Sequence, residues 1–391
     1  MGIAVFAAGF ILLWSLGSWL VGGGGFPGGS DVGSGVSAVV TPVALPVQAD
    51  YTLQPLVDLR AFRDLSYVPV KGVYLTSYGA ASTTRLNEMI GLADRTEINA
   101  FVIDVKDDIG LVTYDAAVPF AKELGLVDPR IDDIDALIAK LRQHGITPIA
   151  RLVCFKDNTL ATKRPDLAVK SSKGGLWKDY KGLSYINPYK HEAWEYLVEV
   201  AEDVARHGFR EIQFDYVRFP SDGPISQAVY PGEYSSKEDC IAGFLAFAHQ
   251  RLEKLGVWVS ADVFGITVST SSAKDSATIG QNIEKISQNV DIVCPMVYPS
   301  HYTANYYGVA NPNAHPYEIV TAAMKDTKKR LAGTGAMGRP WLQDFSLGGV
   351  TYGVAEVKAQ IKAAEEQGFS EWILWDPSLK YSEGALRAQT N

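Results

Sequence analysis

Glu211-Ile-Gln-Phe-Asp215 is a short apolar run that stops on a carboxylate, and Ala100-Phe-Val-Ile-Asp104 and Val257-Trp-Val-Ser-Ala-Asp262 end in the same way. Each has the length of a buried strand. Carboxylates gathered where parallel strands end are a standard way to build an acid/base site. Outward from these three runs, the body of the chain alternates strand and helix. Strands are expected at Gly72–Ser77, Ala100–Val105, Thr147–Phe155, Arg210–Val217, Val257–Phe264, Asp291–Tyr298, Arg339–Phe345 and Glu371–Asp376. Most are continuous apolar runs, as strands covered on both faces should be.

Helical spacing fills the gaps. Ile134/Leu137/Ile138/Leu141, Trp194/Leu197/Val198/Ala201/Val204 and Ile241/Phe244/Leu245/Ala248/Leu252 recur at i, i+3 and i+4. Gly145, Gly208 and Gly256 sit where a helix should stop before the next strand. Eight such units predict a (β/α)8 TIM barrel. The extra length falls after the second, third, fourth and sixth strands (Asp107–Arg130, Lys156–Lys190, Pro220–Lys237 and Pro299–Tyr317). These are βα loops, on the face where barrels carry their sites. A doubly wound sheet is the alternative; it would more often show a Gly-rich fingerprint after the first strand, and Thr76-Ser77-Tyr78-Gly79 is not one.

The chain has 391 residues, 47% apolar and 11% aromatic, with a net charge of −8. That is the composition of a folded protein, and an acidic body argues against nucleic acid as a partner. The three cysteines and six histidines form no CxxC, HxH or HExxH pattern, so neither a metal nor another cofactor is expected. Ile3–Val21 is uncharged and apolar, roughly 28 Å as a helix, about one hydrocarbon core. A Gly-rich stretch follows from Gly22. The expected organisation is a signal anchor or signal peptide at 1–21, a flexible Gly/Ser/Pro-rich linker at 22–66 and the barrel at 67–391. The body is then extracytoplasmic, either membrane-anchored through its N-terminal segment or secreted.

Side chains alternate along a strand. With Ile212, Phe214 and Tyr216 outward, Gln213 and Asp215 face the bore. The same parity turns Asp104 and Lys106 inward in the second strand, and Ser260 and Asp262 inward in the fifth. A buried ion pair with Arg151 or Lys106 is the ordinary use of an inward acid; three inward acids favour a site. Trp177, Tyr180, Tyr185, Tyr230, Tyr234, Tyr298, Tyr302, Tyr306, Tyr307 and Trp375 crowd the βα loops and strand ends. Flat rings with a polar tip suit sugar faces, although about half are expected only to pack the loops.

Val70-Lys-Gly-Val-Tyr-Leu-Thr76, Phe101-Val-Ile-Asp-Val-Lys-Asp-Asp108, Gln213-Phe-Asp-Tyr-Val-Arg-Phe-Pro220, Ser260-Ala-Asp-Val-Phe-Gly265 and Cys294-Pro-Met-Val-Tyr-Pro299 occur in that order. Together they resemble a glycoside-hydrolase-like (β/α)8-barrel family classed as a domain of unknown function, over roughly Tyr67 to Tyr381. The resemblance implies action on carbohydrate and places the principal carboxylate of such barrels at Asp215. Chitinase-like barrels end their strand-4 motif in Glu, which is absent here, so substrate-assisted cleavage is not expected.

The expected catalytic set is therefore Asp215 as nucleophile or base, Asp262 as general acid, and Asp104 orienting substrate or tuning the pair. Lys106, Arg151, Arg218, Tyr298, Trp375, Asp376, Tyr74 and Gln343 are expected to bind substrate, and Asp344 is held in reserve. A carbohydrate polymer is the expected substrate. The alternatives are a surface-tethered glycan-binding barrel without catalysis, and a lyase or aldolase-like enzyme using Lys106 for a Schiff base.

Overall fold

The computed structural model describes residues 67–232, 236–269 and 273–389. The expected anchor, the linker and Tyr234 lie outside the described residues. Among the described residues no helix is long and apolar enough to cross a membrane.

Eight parallel strands close on themselves: β1 (Lys71–Leu75), β2 (Ala100–Lys106), β3 (Thr147–Val153), β4 (Glu211–Asp215), β5 (Trp258–Phe264), β6 (Ile292–Met296), β7 (Trp341–Gln343) and β8 (Trp372–Trp375). Each pairs with the next, and β8 returns to β1, which closes the barrel and excludes the open doubly wound sheet. Around it run α1 (Thr83–Arg95), α2 (Ile134–Gln143), α3 (His191–Arg206), α4 (Lys237–Leu252), α5 (Pro316–Leu331) and α6 (Val354–Glu366). Two short helices, Ala273–Ile279 and Ile283–Ile286, make the crossover from β5 to β6. The predicted helix stops hold: Gly145, Gly208 and Gly256 have φ of 68°, 106° and 65°, a left-handed conformation that any side chain would strain.

Outward apolar side chains of the strands seal against the helices. Phe214 of β4 meets Phe244 of α4 edge-on at 5.5 Å, and Phe155, just beyond β3, meets the same ring at 5.2 Å. The floor of the bore is polar. Arg339 donates to both oxygens of Glu211 at 2.8 and 2.9 Å, and to Glu371 at 3.2 Å. Tyr67 donates to Glu371 at 2.5 Å, and Ser260 to Glu211 at 2.5 Å. This network plugs the N-terminal end of the barrel and leaves chemistry to the other end.

The long βα loops build their own supports. After β2, Val112–Tyr114 and Val127–Ile131 extend the sheet. The loops after β3 and β4 join through the antiparallel pair Lys170–Ser171 and Ala228–Val229. Above this pair, Val169, Trp177 and Tyr185 form a second small core, with Tyr230 packed against it. Tyr302, Tyr306 and Tyr307 pack on one another. Most of the loop aromatics therefore serve packing; Tyr298 lies beside Asp262 and Asp215, and Trp375 against Arg151.

Candidate active site

At the C-terminal mouth, strand alternation sets the positions and a single arginine joins them. Arg151 of β3 lies between β2 and β4 in the sheet. Its Nη1 donates to Asp104 Oδ1 at 2.5 Å, while Nε and Nη2 donate to Asp215 Oδ2 at 2.9 and 2.5 Å. The other oxygen of Asp104 accepts from the Tyr74 hydroxyl at 2.5 Å. Tyr74 stacks on Trp375 with centroids 3.9 Å apart, and the Arg151 guanidinium lies 5.3 Å from the Trp375 ring. Arg151 is thus boxed by two carboxylates and two rings and is only 2% exposed. The buried ion pair and the acid cluster, two competing uses of these residues, are here the same object.

Asp262 is a different kind of carboxyl. It is 1% exposed and accepts Gln213 Nε2 at 2.5 Å and, across the bore, Trp341 Nε1 at 2.6 Å. Both bonds fall on Oδ1, and Oδ2 takes none among the described residues. Burial, with the charge of Asp215 added, pushes Asp262 well above the usual carboxylate range. Burial also raises Asp104, against the opposing effects of Arg151 and Tyr74. Asp104 and Asp262 therefore hold a proton more readily than isolated aspartates would. Tyr298 is buried beside them; burial and then the charges of Asp262 and Asp215 raise its hydroxyl.

The backbone changes course directly after Asp215. Tyr216 has φ 49°, a left-handed conformation that costs a bulky residue about 1–3 kcal/mol. Its N–H turns back to Asp215 Oδ1 at 2.5 Å. Alternation ends there, so the Tyr216 ring does not continue the outward row of Ile212 and Phe214. It lies instead among Lys156 and Arg218, each 4.8 Å from its centroid.

Lys106 is the clearest departure from the sequence expectation. The β2–β3 register shifts between Asp104 and Lys106, and a bulge reverses the parity of the residues beyond it. Lys106 consequently pairs with Asp157 at 2.8 Å, donates to Val153 O at 3.0 Å and lies 5.9 Å from the Tyr196 ring of α3. It is fully buried, and the inward position beside Asp215 that a Schiff-base role would need is not occupied.

Gln343 is turned to structural work. Its amide donates to Phe345 O at 2.8 Å and accepts from Ser300 N at 3.1 Å, tying two βα loops together. Asp376 accepts from Ser378 N at 2.6 Å within its own turn. Asp344 accepts from Ser382 N and Oγ at 2.8 and 2.7 Å. Gln213 and Trp341, the partners of Asp262, lie outside the expected site set. Gln213 shares the inward parity of Asp215 and is legible on that basis; Trp341 reaches Asp262 over the intervening β6 because the sheet curls.

Burial pushes Asp344 up to about 6. Its folded value lies above the unfolded one, near 3.9. The favourable contribution is therefore complete below pH 4 and lost as pH rises through 6. Asp344→Asn removes that loss while Ser382 Oγ can turn to accept from the new amide. The variant should gain stability relative to wild type between pH 4 and 7, on the order of 2–3 kcal/mol. Urea midpoints at the two pH values measure it, and a stability difference independent of pH would contradict it.

A closed (β/α)8 barrel with a carboxylate cluster at its C-terminal mouth is a frame on which hydrolytic enzymes are commonly built. The chain belongs to the family described as "Putative glycosyl hydrolase domain", whose model matches residues 72–381. A hypothetical protein from Ruminiclostridium thermocellum ATCC 27405 is 41% identical over 49% of this chain and 97% of its own, with a TM-score of 0.46. The glycoside hydrolase domain of PgaB (BpsB) from Bordetella bronchiseptica superposes with a TM-score of 0.58 at 13% identity, covering 83% of this chain and 100% of that one. For the GH20 exo β-N-acetylglucosaminidase of Vibrio harveyi the TM-score is 0.54 at 14% identity, over 82% of this chain and 54% of that one. At such identities the last two show a shared fold. Comparison with curated proteins gave no match.

Proposed function

We propose that the barrel hydrolyses O-glycosidic bonds of an extracellular or cell-envelope polysaccharide, with Asp215 and Asp262 as the working pair. One observation carries this: two inward carboxyls on neighbouring strands have opposite environments. Asp215 is matched by two N–H groups of Arg151 and by the Tyr216 N–H. Asp262 is buried, pushed upward, and has one oxygen without a partner among the described residues. Two acids in such unlike environments are how glycosidases assign acid and nucleophile.

The β4–β5 register runs through Phe214 and Ala261, so Asp215 and Asp262 are the next residues on their strands. Neighbouring strands lie about 4.8 Å apart, near the roughly 5–5.5 Å carboxyl separation of retaining enzymes. Asp215 then attacks the anomeric carbon while Asp262 gives its proton to the leaving oxygen. Asp262 afterwards takes a proton from the water that releases the sugar. Asp104, with both oxygens engaged, holds Arg151 in line. Trp375 and Tyr298 supply apolar faces for the sugar. The location rests on the apolar N-terminal stretch of the sequence.

The test is the pH profile of reducing-end release from a cleaved polysaccharide. Activity should fall as pH rises through the raised Asp262 value, and Asp262→Asn should lose both that limb and about 10²- to 10⁴-fold in rate. A basic limb that persists in Asp262→Asn would remove Asp262 from the acid role.

A further inference from the structure

Arg218 is a buried cation that pairs with no acid among the described residues. It is 5% exposed, and its one hydrogen bond runs from Nη1 to Phe219 O at 3.1 Å. Among the described residues no carboxylate lies within ion-pair distance of it, and its remaining N–H groups have no partner. The guanidinium is held between the rings of Phe264, at 4.4 Å, and Tyr216, at 4.8 Å. Phe264 ends β5, two residues beyond Asp262, and Tyr216 follows Asp215. Both rings stand within two residues of the strand-end carboxylates, so Arg218 is fixed at the same mouth of the barrel. Arginine buried this way normally pairs with a carboxylate or phosphate.

The neighbourhood holds charges of both signs. Lys156 lies on the same Tyr216 ring at 4.8 Å and pairs with Asp108 at 2.9 Å. Lys181 is held below its ordinary value by burial and by the nearby Lys156 ammonium, against the pull of Asp108, Asp179 and Asp222. Asp179 itself accepts from two backbone N–H groups of its turn. The strained φ of Tyr216 is what brings its ring between the two cations.

We infer that this rim is a subsite for an acidic sugar, with Arg218 receiving an oxyanion carried by the residue next to the cleaved bond. The inference rests on the glycoside-cleaving reading and narrows it to an anionic polysaccharide. The oxyanion can be the carboxylate of a uronic acid, a sulfate ester or a phosphodiester; all present paired oxygens to the guanidinium fork. The rings hold the fork in place, so little freedom is lost on binding.

The test uses the full chain, its Arg218→Gln variant and its Arg218→Met variant. Binding is measured by affinity electrophoresis in gels of alginate, polygalacturonate, hyaluronan, a sulfated galactan or a teichoic-acid-type polymer. Each is paired with its carboxyl-reduced, desulfated or dephosphorylated counterpart. At least one acidic polymer should retard the wild type at about 10- to 100-fold lower concentration than its neutral counterpart, and Arg218→Gln should erase the difference. Which pair responds names the oxyanion. Arg218→Met should melt no lower than wild type, because it removes an uncompensated buried charge rather than a structural ion pair.

Equal binding of every pair, no binding to any polymer, a preference that survives Arg218→Gln, or a clear fall in melting temperature for Arg218→Met would each overturn the inference. Selective acidic binding without any released reducing ends would instead uphold this subsite and defeat the hydrolase reading.

Discussion

Asp215→Asn should leave a folded barrel whose turnover is lower by about 10³- to 10⁴-fold, with KM little changed. The amide cannot act as nucleophile or base, which removes a contribution made in the transition state rather than in binding. Structurally the change is small but not silent. The amide oxygen can still accept from Arg151, and the amide nitrogen then faces the Tyr216 N–H, so the 2.5 Å bond from that N–H is lost. The expected cost in stability is about 1–3 kcal/mol. A third consequence separates this variant from a merely misfolded one. The Asp215 charge is one of the causes that raise Asp262, so Asp262 should titrate at lower pH in the variant. Carboxyl NMR resonances read that shift directly; an Asp262 that titrates unchanged would mean the two groups do not form a pair.

Arg151→Met should produce the largest loss of stability. The guanidinium is 2% exposed and serves both Asp104 and Asp215. Its removal leaves buried carboxylates uncompensated, at about 3–5 kcal/mol, or a melting temperature lower by roughly 4–7 °C. The loss should shrink in acid. Arg151 lowers Asp104 against its burial, so without it Asp104 rises further and binds a proton earlier. Asp104 then takes up its proton at a higher pH than in the wild type, so part of the penalty disappears as the pH falls toward 4. Calorimetry at pH 7 and pH 4 reads the effect. Equal losses at both values would mean that Arg151 acts by packing against Tyr74 and Trp375 alone. Arg151→Lys is not a rescue, since one ammonium cannot supply the fork that spans two acids.

The barrel was legible because its strands are buried on both faces and its helices on one. Both patterns are local, so eight strands and their helical partners could be placed from periodicity. The inward acids Asp104, Asp215 and Asp262 were legible for the same reason, each ending a regular strand. Legibility failed where regularity did. The register shift after Asp104 turned Lys106 toward α3, and the left-handed Tyr216 ended alternation one residue past Asp215. Neither residue is glycine, and neither position carries a local signal. Contacts across the bore were hidden as well. Trp341 on Asp262, and Arg339 between Glu211 and Glu371, join residues far apart in sequence and depend on the curl of the sheet. Arg218 is visible in the sequence as a neighbour of Asp215; that it meets no acid among the described residues is a property of the folded rim alone.

The most direct measurement incubates the full chain and its Asp215→Asn variant with a panel of cell-surface, capsular and biofilm polysaccharides, and reads released oligosaccharides by mass spectrometry. The expected result is products of defined size from one class of polymer with the wild type and none with Asp215→Asn. Products released equally by both would remove Asp215 from the chemistry. A polymer bound by both and cleaved by neither would contradict hydrolysis itself and make the barrel a glycan-binding module.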